Sequence, residues 1–449
     1  MTTTWKITTL SLALMAAFPL AGHAQSNKEL LDELRALQQR VQELERKLKA
    51  AEAAPAPAPS AGMTPDQQVE FNRIRAKTEA LEDNQEASGF KGLRISGMMD
   101  PTFLWTDRYG ESFAFLNNFD GVGNSYGRDA YAFDNSYFGQ AVIDIVKETE
   151  DQSIWRLTLL PHKSGSSGFN VGSWIHEASV SVPITDNQTR FWAGVIPDWS
   201  GYEYPFSHQH PLISHNLLFD FTLPSYYTGA AIDITRGKWW NRIGIANVNA
   251  NRYDRDARHG ALVYRIDYSK GEFDGFGFAG VHGKEAGETI NLFQFDAYYI
   301  RGNWTWQGQV ALGSADAAAS NDGRAQWWGL SGLMAYNFTP TLQGIFRADY
   351  IHNEKNGGGI YGSPLSGGEF DGRNGFGPKL ASDGSVIDPD KGANRYAMTF
   401  GLKYLYSLNT TFKLEYRFDG SNGYNFYDEI QDRYRKRAHM LSTAVVLNF

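Results

Sequence analysis

From Phe90 onward, apolar and polar side chains alternate in short segments, the period-two pattern of strands with one face in an apolar medium. In one segment Phe412, Leu414, Tyr416 and Phe418 share a face, and Lys413, Glu415 and Arg417 share the other. Met398, Phe400, Leu402, Tyr404 and Tyr406 oppose Lys403 in the same way, Phe346, Ala348 and Tyr350 oppose Arg347 and Asp349, and Leu262, Tyr264 and Ile266 oppose Arg265 and Asp267. The last segment places Leu441, Thr443, Val445, Leu447 and Phe449 on one side and Ser442, Ala444 and Asn448 on the other, with Val446 the exception.

Sixteen such segments are read, at about 93–105, 136–147, 153–160, 173–183, 188–197, 225–236, 239–248, 260–269, 274–282, 290–301, 303–313, 326–338, 341–352, 393–407, 410–419 and 438–449. Their connections alternate short and long. Turns such as Arg301-Gly302-Asn303 face long stretches at 106–135, 198–224, 353–392 and 420–437, rich in Gly, Asn, Asp and Tyr. An even number of strands with short turns at one end and long loops at the other predicts an all-β transmembrane barrel of antiparallel strands, whose edges must pair in lipid. A charge on the lipid face costs about 2 to 4 kcal/mol at mid-bilayer, which makes the sorting of faces a strong constraint. The pairs Trp239-Trp240, Trp304 and Trp306, and Trp327-Trp328 read as girdle residues at the membrane interfaces.

The pattern before Phe90 is helical. Leu30, Leu34, Leu37, Val41, Leu44, Leu48 and Ala51 step by four and three, a heptad seam, and Arg40 with Glu45 and Lys47 with Glu52 supply attractive pairs between parallel chains. An α-helical coiled-coil arm is therefore expected over 25–53. Pro55, Pro57 and Pro59 end it and make 54–63 a stiff Ala/Pro linker. Thr64, Pro65 and Gln67 then open a second short helix over 64–89. Ahead of the arm, Lys6, the apolar run from Ile7 to Leu20 and the small residues Gly22 and Ala24 read as a signal peptide, 1–24, which puts the rest of the chain outside the inner membrane. No later apolar run is long enough to cross a bilayer as a helix.

Composition adds little that patterning leaves open. Forty-six glycines with 12 Trp, 23 Tyr and 28 Phe suit many alternating strands. The absence of cysteine removes disulfides and thiolate metal sites, and a net charge of −8 argues against nucleic acid as a partner.

The segment ending on Phe449 resembles the terminal strand of Gram-negative outer-membrane porins, in which such an ending is the assembly signal. A looser resemblance to the phosphate-selective-porin-like branch and its uncharacterised relatives is carried by Gly194, Pro197, Gly201 and Glu203, by Glu415-Tyr416-Arg417 and by Ile95-Ser96-Gly97. It covers the chain from about residue 90, taking 90–449 as one outer-membrane barrel. The resemblance implies a homotrimer in outer-membrane lipid, assembled by the barrel-assembly machinery, with the arm in the periplasm. It also implies that the third long loop, 198–224, folds inward to narrow the lumen, with Asp198, Trp199, Tyr202 and Glu203 as constriction residues.

Inward positions give the pore-lining charges Arg94, Arg156, Arg190, Arg242, Arg265, Arg347, Lys403, Lys413 and Arg417, with Asp349 and Glu415 among the acids. The signs nearly balance, so no selectivity follows from the count, and no arginine or lysine ladder of the phosphate-specific kind is evident. Basic groups gathered on one wall opposite Asp198 and Glu203 would create a transverse field for ions and dipolar solutes. The function expected is passive diffusion of small hydrophilic solutes or ions through a water-filled channel, without cofactor or metal. Alternatives are a sugar- or anion-specific channel, a tethering barrel and an outer-membrane enzyme. Trp199, Tyr202, Tyr204, Phe206, Phe219 and Phe221 would supply a stacking slide for sugars, and a sucrose porin also has a coiled-coil extension, though with eighteen strands in general. Ser207, His208, His210, Ser214 and His215 are the residue types of a hydrolase or a metal site, but their irregular spacing fits neither well.

Overall fold

The structure is a computed structural model that describes residues 90–449 except 117, 122–137, 161–174, 250–259, 272, 286, 354 and 359–374, together with 73–75 and 77. The expected signal peptide, the coiled-coil arm and the linker lie outside the described residues. So does most of the second helix, of which Arg73, Ile74, Arg75 and Lys77 are helical and exposed.

Residues 94–449 form a closed antiparallel barrel of sixteen strands. Strand β1 has two parts, Leu93–Met99 and Thr102–Thr106, separated by Pro101, which has no N–H to give to the ladder. The others are β2 (Ala141–Glu148), β3 (Ile154–Leu159), β4 (Ile175–Asp186), β5 (Thr189–Pro197), β6 (Tyr226–Arg236), β7 (Trp239–Val248) and β8 (Ala261–Ser269). They continue with β9 (Asp274–Glu285), β10 (Glu288–Arg301), β11 (Trp304–Ala315), β12 (Ala325–Asn337), β13 (Leu342–Asn353), β14 (Arg395–Ser407), β15 (Thr410–Ser421) and β16 (Arg437–Asn448). Each segment read from the alternation corresponds to one of these strands.

Closure comes from β1, which pairs with β2 on one side and with β16 on the other. Met98 stands opposite Asn448 and Thr106 opposite Met440. The main chain of Phe449 extends this seam, donating to Gly97 O at 3.0 Å and accepting from Gly97 N at 3.2 Å. A Cβ on Gly97 would come within 2.7 Å of the Phe449 ring, so glycine lets the ring lie across the seam. Among the described residues no barrel strand is left with an edge for lipid.

The outer surface is the apolar face the alternation predicts. Phe412, Leu414, Tyr416, Phe400, Leu402, Leu441 and Leu447 are all exposed there. Trp239, Trp304, Trp306 and Trp328 are exposed girdle residues, but Trp240 and Trp327 are not. Their neighbours in sequence take the outer positions, so both indoles point inward, Trp240 beside Arg242 and Trp327 into a buried core at 4 % exposure. Adjacent aromatics on a strand cannot share a face.

Four loop features exceed the sequence expectation. Gly110–Phe115 pairs with Thr102–Thr106 of β1 on one side and with Asn118–Gly121 on the other, and its S-F-A-F alternates with Ser112 and Ala114 buried. Pro378–Leu380 pairs with Val386–Gly392, and Phe426–Asp428 with Arg433–Arg435. The β9–β10 connection is a tight hairpin, because pairing runs on to Glu285 opposite Glu288.

Closure at this seam predicts that deleting Phe449, or substituting Gly97→Val, lowers the yield of folded barrel severalfold in a heat-modifiability gel assay. The fraction that does fold should keep the wild-type single-channel conductance; a normal yield for both variants would show that the seam closes without this ring.

Candidate functional site

The inner faces of the strands change character along the barrel axis. Toward the long-loop end of β7 to β13 they carry Ala246, Val248, Ala261, Val263, Val281, Ile290, Leu292, Ala311, Ala325, Trp327 and Ile351, all buried. Nearer the short turns the same faces carry Arg242, Arg265, Asp267, Asp296, Gln294, Gln309, Ser331 and Arg347. An apolar inner wall exposed to water would be unfavourable, and here it is covered.

The cover is the loop between β5 and β6, which folds into the barrel. Its one helix, α1 (Leu217–Thr222), starts at Asn216, whose side chain accepts the Phe219 N–H at 2.8 Å. Leu217, Leu218 and Phe221 of α1 join Ile213 and the wall residues in one apolar cluster. Glycines on the wall make the space: a Cβ at Gly329 would lie 2.2 Å from Leu218, and one at Gly401 would lie 2.3 Å from Leu212.

Polar groups of the strands hold the backbone that precedes α1. Lys413 donates to the carbonyls of Ser207 at 2.5 Å, His210 at 2.9 Å and Leu212 at 2.9 Å. Two residues on, the Glu415 carboxylate accepts from Ile213 N at 2.6 Å, Ser214 N at 3.1 Å and Ser214 Oγ at 2.5 Å. Two further, Arg417 donates to His215 O at 2.9 Å and Ser214 Oγ at 3.0 Å. Three successive inward positions of β15 thus match successive donors and acceptors of the loop, since residues i, i+2 and i+4 line one face of a strand. Arg347 of β13 completes the dock, donating to Ser214 O at 2.7 Å, His215 O at 2.8 Å and Glu203 at 2.9 Å, with Asp349 at 3.2 Å on its other side.

These contacts correct part of the sequence reading. Arg347, Asp349, Lys413, Glu415 and Arg417 point inward, but they are at most 4 % exposed and lie under the loop instead of along open lumen. Glu203 does meet a basic wall, yet in a buried ion pair that cancels its charge instead of projecting a field. Burial pushes its carboxyl above the usual range against the pull of Arg347 and His215. Asp198 meets no basic group in contact: it caps the loop's entry, accepting from Tyr227 OH at 2.5 Å and Ser200 N at 2.9 Å. Trp199 packs on Tyr227, ring centroids 4.7 Å apart, and Tyr202 donates or accepts a 2.6 Å bond with Ser331. Phe206 is buried against His176, Phe219 stacks on His215 and Phe221 meets Phe376 edge-on, so these rings pack the loop and do not form a continuous sugar platform.

The remaining inward charges form compact groups. Arg156 contacts Asp144 at 2.9 Å and Glu177 at 3.5 Å; Arg242 contacts Asp233 at 2.5 Å and lies over the Trp192 ring at 3.2 Å. Arg265 is shared by Asp267 at 2.7 Å and Asp296, and Arg190 donates to Ser181 Oγ and the Gln152 carbonyl, each at 2.8 Å. Arg94 is exposed at the start of β1, and Lys403 is half-buried near the short-turn end of β14.

The loop residues that reach water were not singled out as constriction residues from sequence. Tyr204 is 48 % exposed although Arg265, Asp267, Asp296 and Tyr298 surround it, which marks a solvated interior and not an outer surface. His208 and Gln209 follow, half-buried and exposed. His208 sits with Nδ1 2.8 Å from Met98 Sδ, within electrostatic reach of Lys413, Lys403 and Asp144. Burial and the two lysines push its imidazole down to about 4. The other histidines are engaged separately: His210 packs on His215 at 4.4 Å, and His215 Nε2 bonds the Tyr204 carbonyl at 3.0 Å. Ser207 accepts from Lys413 at 3.2 Å and its N–H donates to Gln140.

Because Arg347 joins two loop carbonyls, Glu203 and Asp349, Arg347→Ala should leave a buried carboxylate without its partner, at a cost of about 3 to 5 kcal/mol. The expected result is faster hydrogen exchange over residues 203–216 with the strands still protected. Unchanged exchange there would mean that β15 alone holds the loop.

Residues 130–449 match the family described as "Putative beta-barrel porin-2, OmpL-like". No curated protein matches the chain. Among solved structures it is similar to the anion-selective porin from Comamonas acidovorans, with TM-score 0.51 and 9 % identity over 80 % of this chain and 99 % of that one. It is also similar to in-vitro folded OmpT, an outer membrane protein of Vibrio cholerae, with TM-score 0.50 and 9 % identity over 80 % of this chain and 97 % of that one. At such identity these likenesses establish the shared fold, while the family match spans most of the sequence: the chain belongs to the OmpL-like beta-barrel porin-2 family of outer-membrane porins.

Proposed function

We propose that this porin is a passive diffusion channel for small hydrophilic solutes or ions, narrowed from within by the loop between β5 and β6. The single observation that carries the reading is that this loop is fixed inside a closed barrel by Lys413, Glu415, Arg417 and Arg347 while Tyr204, His208 and Gln209 remain open to water. A barrel serving only as a tether has no need of a solvated interior. The narrow part of the path is taken to run between those three residues and the walls bearing Arg156, Asp144, Asp267 and Lys403.

No catalytic role is assigned to the Ser207, His208, His210 and His215 group. A serine nucleophile needs a neighbouring base, and the Ser207 hydroxyl faces the Lys413 ammonium while His208 turns to Met98. The chain is taken to assemble as a trimer in the outer membrane with residues 25–53 as a periplasmic coiled coil, supported by the porin family and by the heptad seam. Sedimentation of the detergent-extracted protein tests the trimer.

Reconstitution in planar bilayers tests the pore: stable single-channel steps are expected, and their absence from folded protein would leave a tethering barrel. Gly401→Leu removes the space for Leu212 and should raise the conductance by releasing the loop; a conductance equal to wild type would remove the loop from the conducting path.

A second expectation concerns pH. His208 is neutral at pH 7 and gains its charge only as pH falls through about 4, so no titration step near 6.5 is expected from it. Protonation places a cation beside Lys403 and Lys413, and anion preference should rise below that pH in wild type and rise less in His208→Asn. Identical reversal potentials for the two proteins at pH 3.5 to 4, on the order of the shifted value, would place His208 away from the path.

A further inference from the structure

Among the described residues most inward charges have a partner in contact with them, and apart from Arg94, exposed at the start of β1, the exception stands on β14. Its inner face carries Arg395, Thr399, Gly401 and Lys403, because Leu402 and Tyr404 take the exposed outer positions. Arg395 is paired with Asp419 at 2.6 Å, whereas Lys403 makes no hydrogen bond or ion pair among the described residues. It is half-buried on the inner face of the wall, and no described group takes its hydrogens.

Its neighbours make this a positive spot instead of an isolated surface lysine. Directly across the β14–β15 ladder stands Lys413, and directly across the β13–β14 ladder stands Gln343. Like charges facing each other on adjacent strands destabilise a sheet. Lys413 touches no carboxylate among the described residues; its hydrogens go to loop carbonyls and to the Ser207 hydroxyl. His208 lies near both lysines and carries no charge at neutral pH. The acids within electrostatic reach of Lys413 and His208, namely Asp100, Glu415, Glu203 and Asp144, have their own partners in Gln140, the loop amides, Arg347 and Arg156.

We propose that Lys403, with Lys413 across the ladder and Gln343 beside it, forms a site on the lumen wall for small oxyanions, a carboxylate or inorganic phosphate. An anion resting there relieves the repulsion between the two lysines, and the site would draw anions into the narrow part of the path as a fixed positive charge in a confined aqueous pore does. This deepens the channel reading above and rests on it.

The full-length protein in planar bilayers tests the site. In a potassium chloride gradient at low salt the wild type should prefer anions. Lys403→Gln should lower the anion-to-cation permeability ratio by about threefold, the effect of one unit charge several ångströms from the path at a water-like dielectric, and Lys403→Arg should restore it. Sodium phosphate or sodium acetate added to the chloride solution should reduce chloride current in wild type at lower concentrations than in Lys403→Gln. Reduction by phosphate alone, or by acetate alone, supports the site and identifies its oxyanion. Should the glutamine variant fail to fold, Lys403→Met keeps the apolar stem and answers the same question. Equal reversal potentials and equal block in wild type and variant, with ordinary conductance, overturn the site and leave the pore. Absence of conductance from folded wild-type barrels overturns both.

Discussion

An irregular segment buried inside a barrel must find partners for its backbone N–H and C=O groups, and that requirement organises the inside of this molecule. Strands satisfy their own backbone across the ladders, but the stretch from Ser207 to Asn216 has no ladder. Side chains of the wall take its place: Lys413 for carbonyls, Glu415 for amides, Arg417 and Arg347 for carbonyls again. Only charged side chains combine the reach and the number of donors or acceptors needed at three alternate positions of a single strand.

The apolar half of the dock follows from the same need. Once the backbone before α1 is fixed on β13 and β15, Leu217, Leu218 and Phe221 are delivered against the small inner residues of the long-loop end. Gly329 and Gly401 then act as recesses, and a side chain at either would push the loop away from the wall. Water is left to the other side, past Tyr204, His208 and Gln209. The same dock decides which charges can act on a solute. Arg347, Glu415 and Arg417 are consumed in holding the loop, Arg156, Arg242 and Arg265 are matched by carboxylates, and Lys403 is left facing the lumen.

Much of the fold was legible because the lipid enforces it. The alternation of Phe412, Leu414, Tyr416 and Phe418 with Lys413, Glu415 and Arg417 reads as a strand in any context, and the cost of a charge in lipid leaves one choice of outer face. The rhythm of short and long connections then gave the number and direction of the strands. Errors arose where that constraint is absent. Trp240 and Trp327 are apolar enough for either face, and only the parity of the whole strand turns them inward. The tight β9–β10 hairpin and the ribbon after Gly110 lie in stretches that the rhythm of short and long connections assigned to loops.

The sequence by itself therefore determined the barrel, its strand count and the inward side of each charge, since these depend on local alternation against a uniform solvent. Only the tertiary structure decided what those charges do. Glu203 and Arg347 are 144 residues apart, and Lys413 and the Ser207 carbonyl are 206 apart. No local pattern encodes which lysine will be met by a loop and which will be left to the water. Two lysines opposite each other on β14 and β15 look equivalent in the sequence; one is covered by loop carbonyls and the other is not.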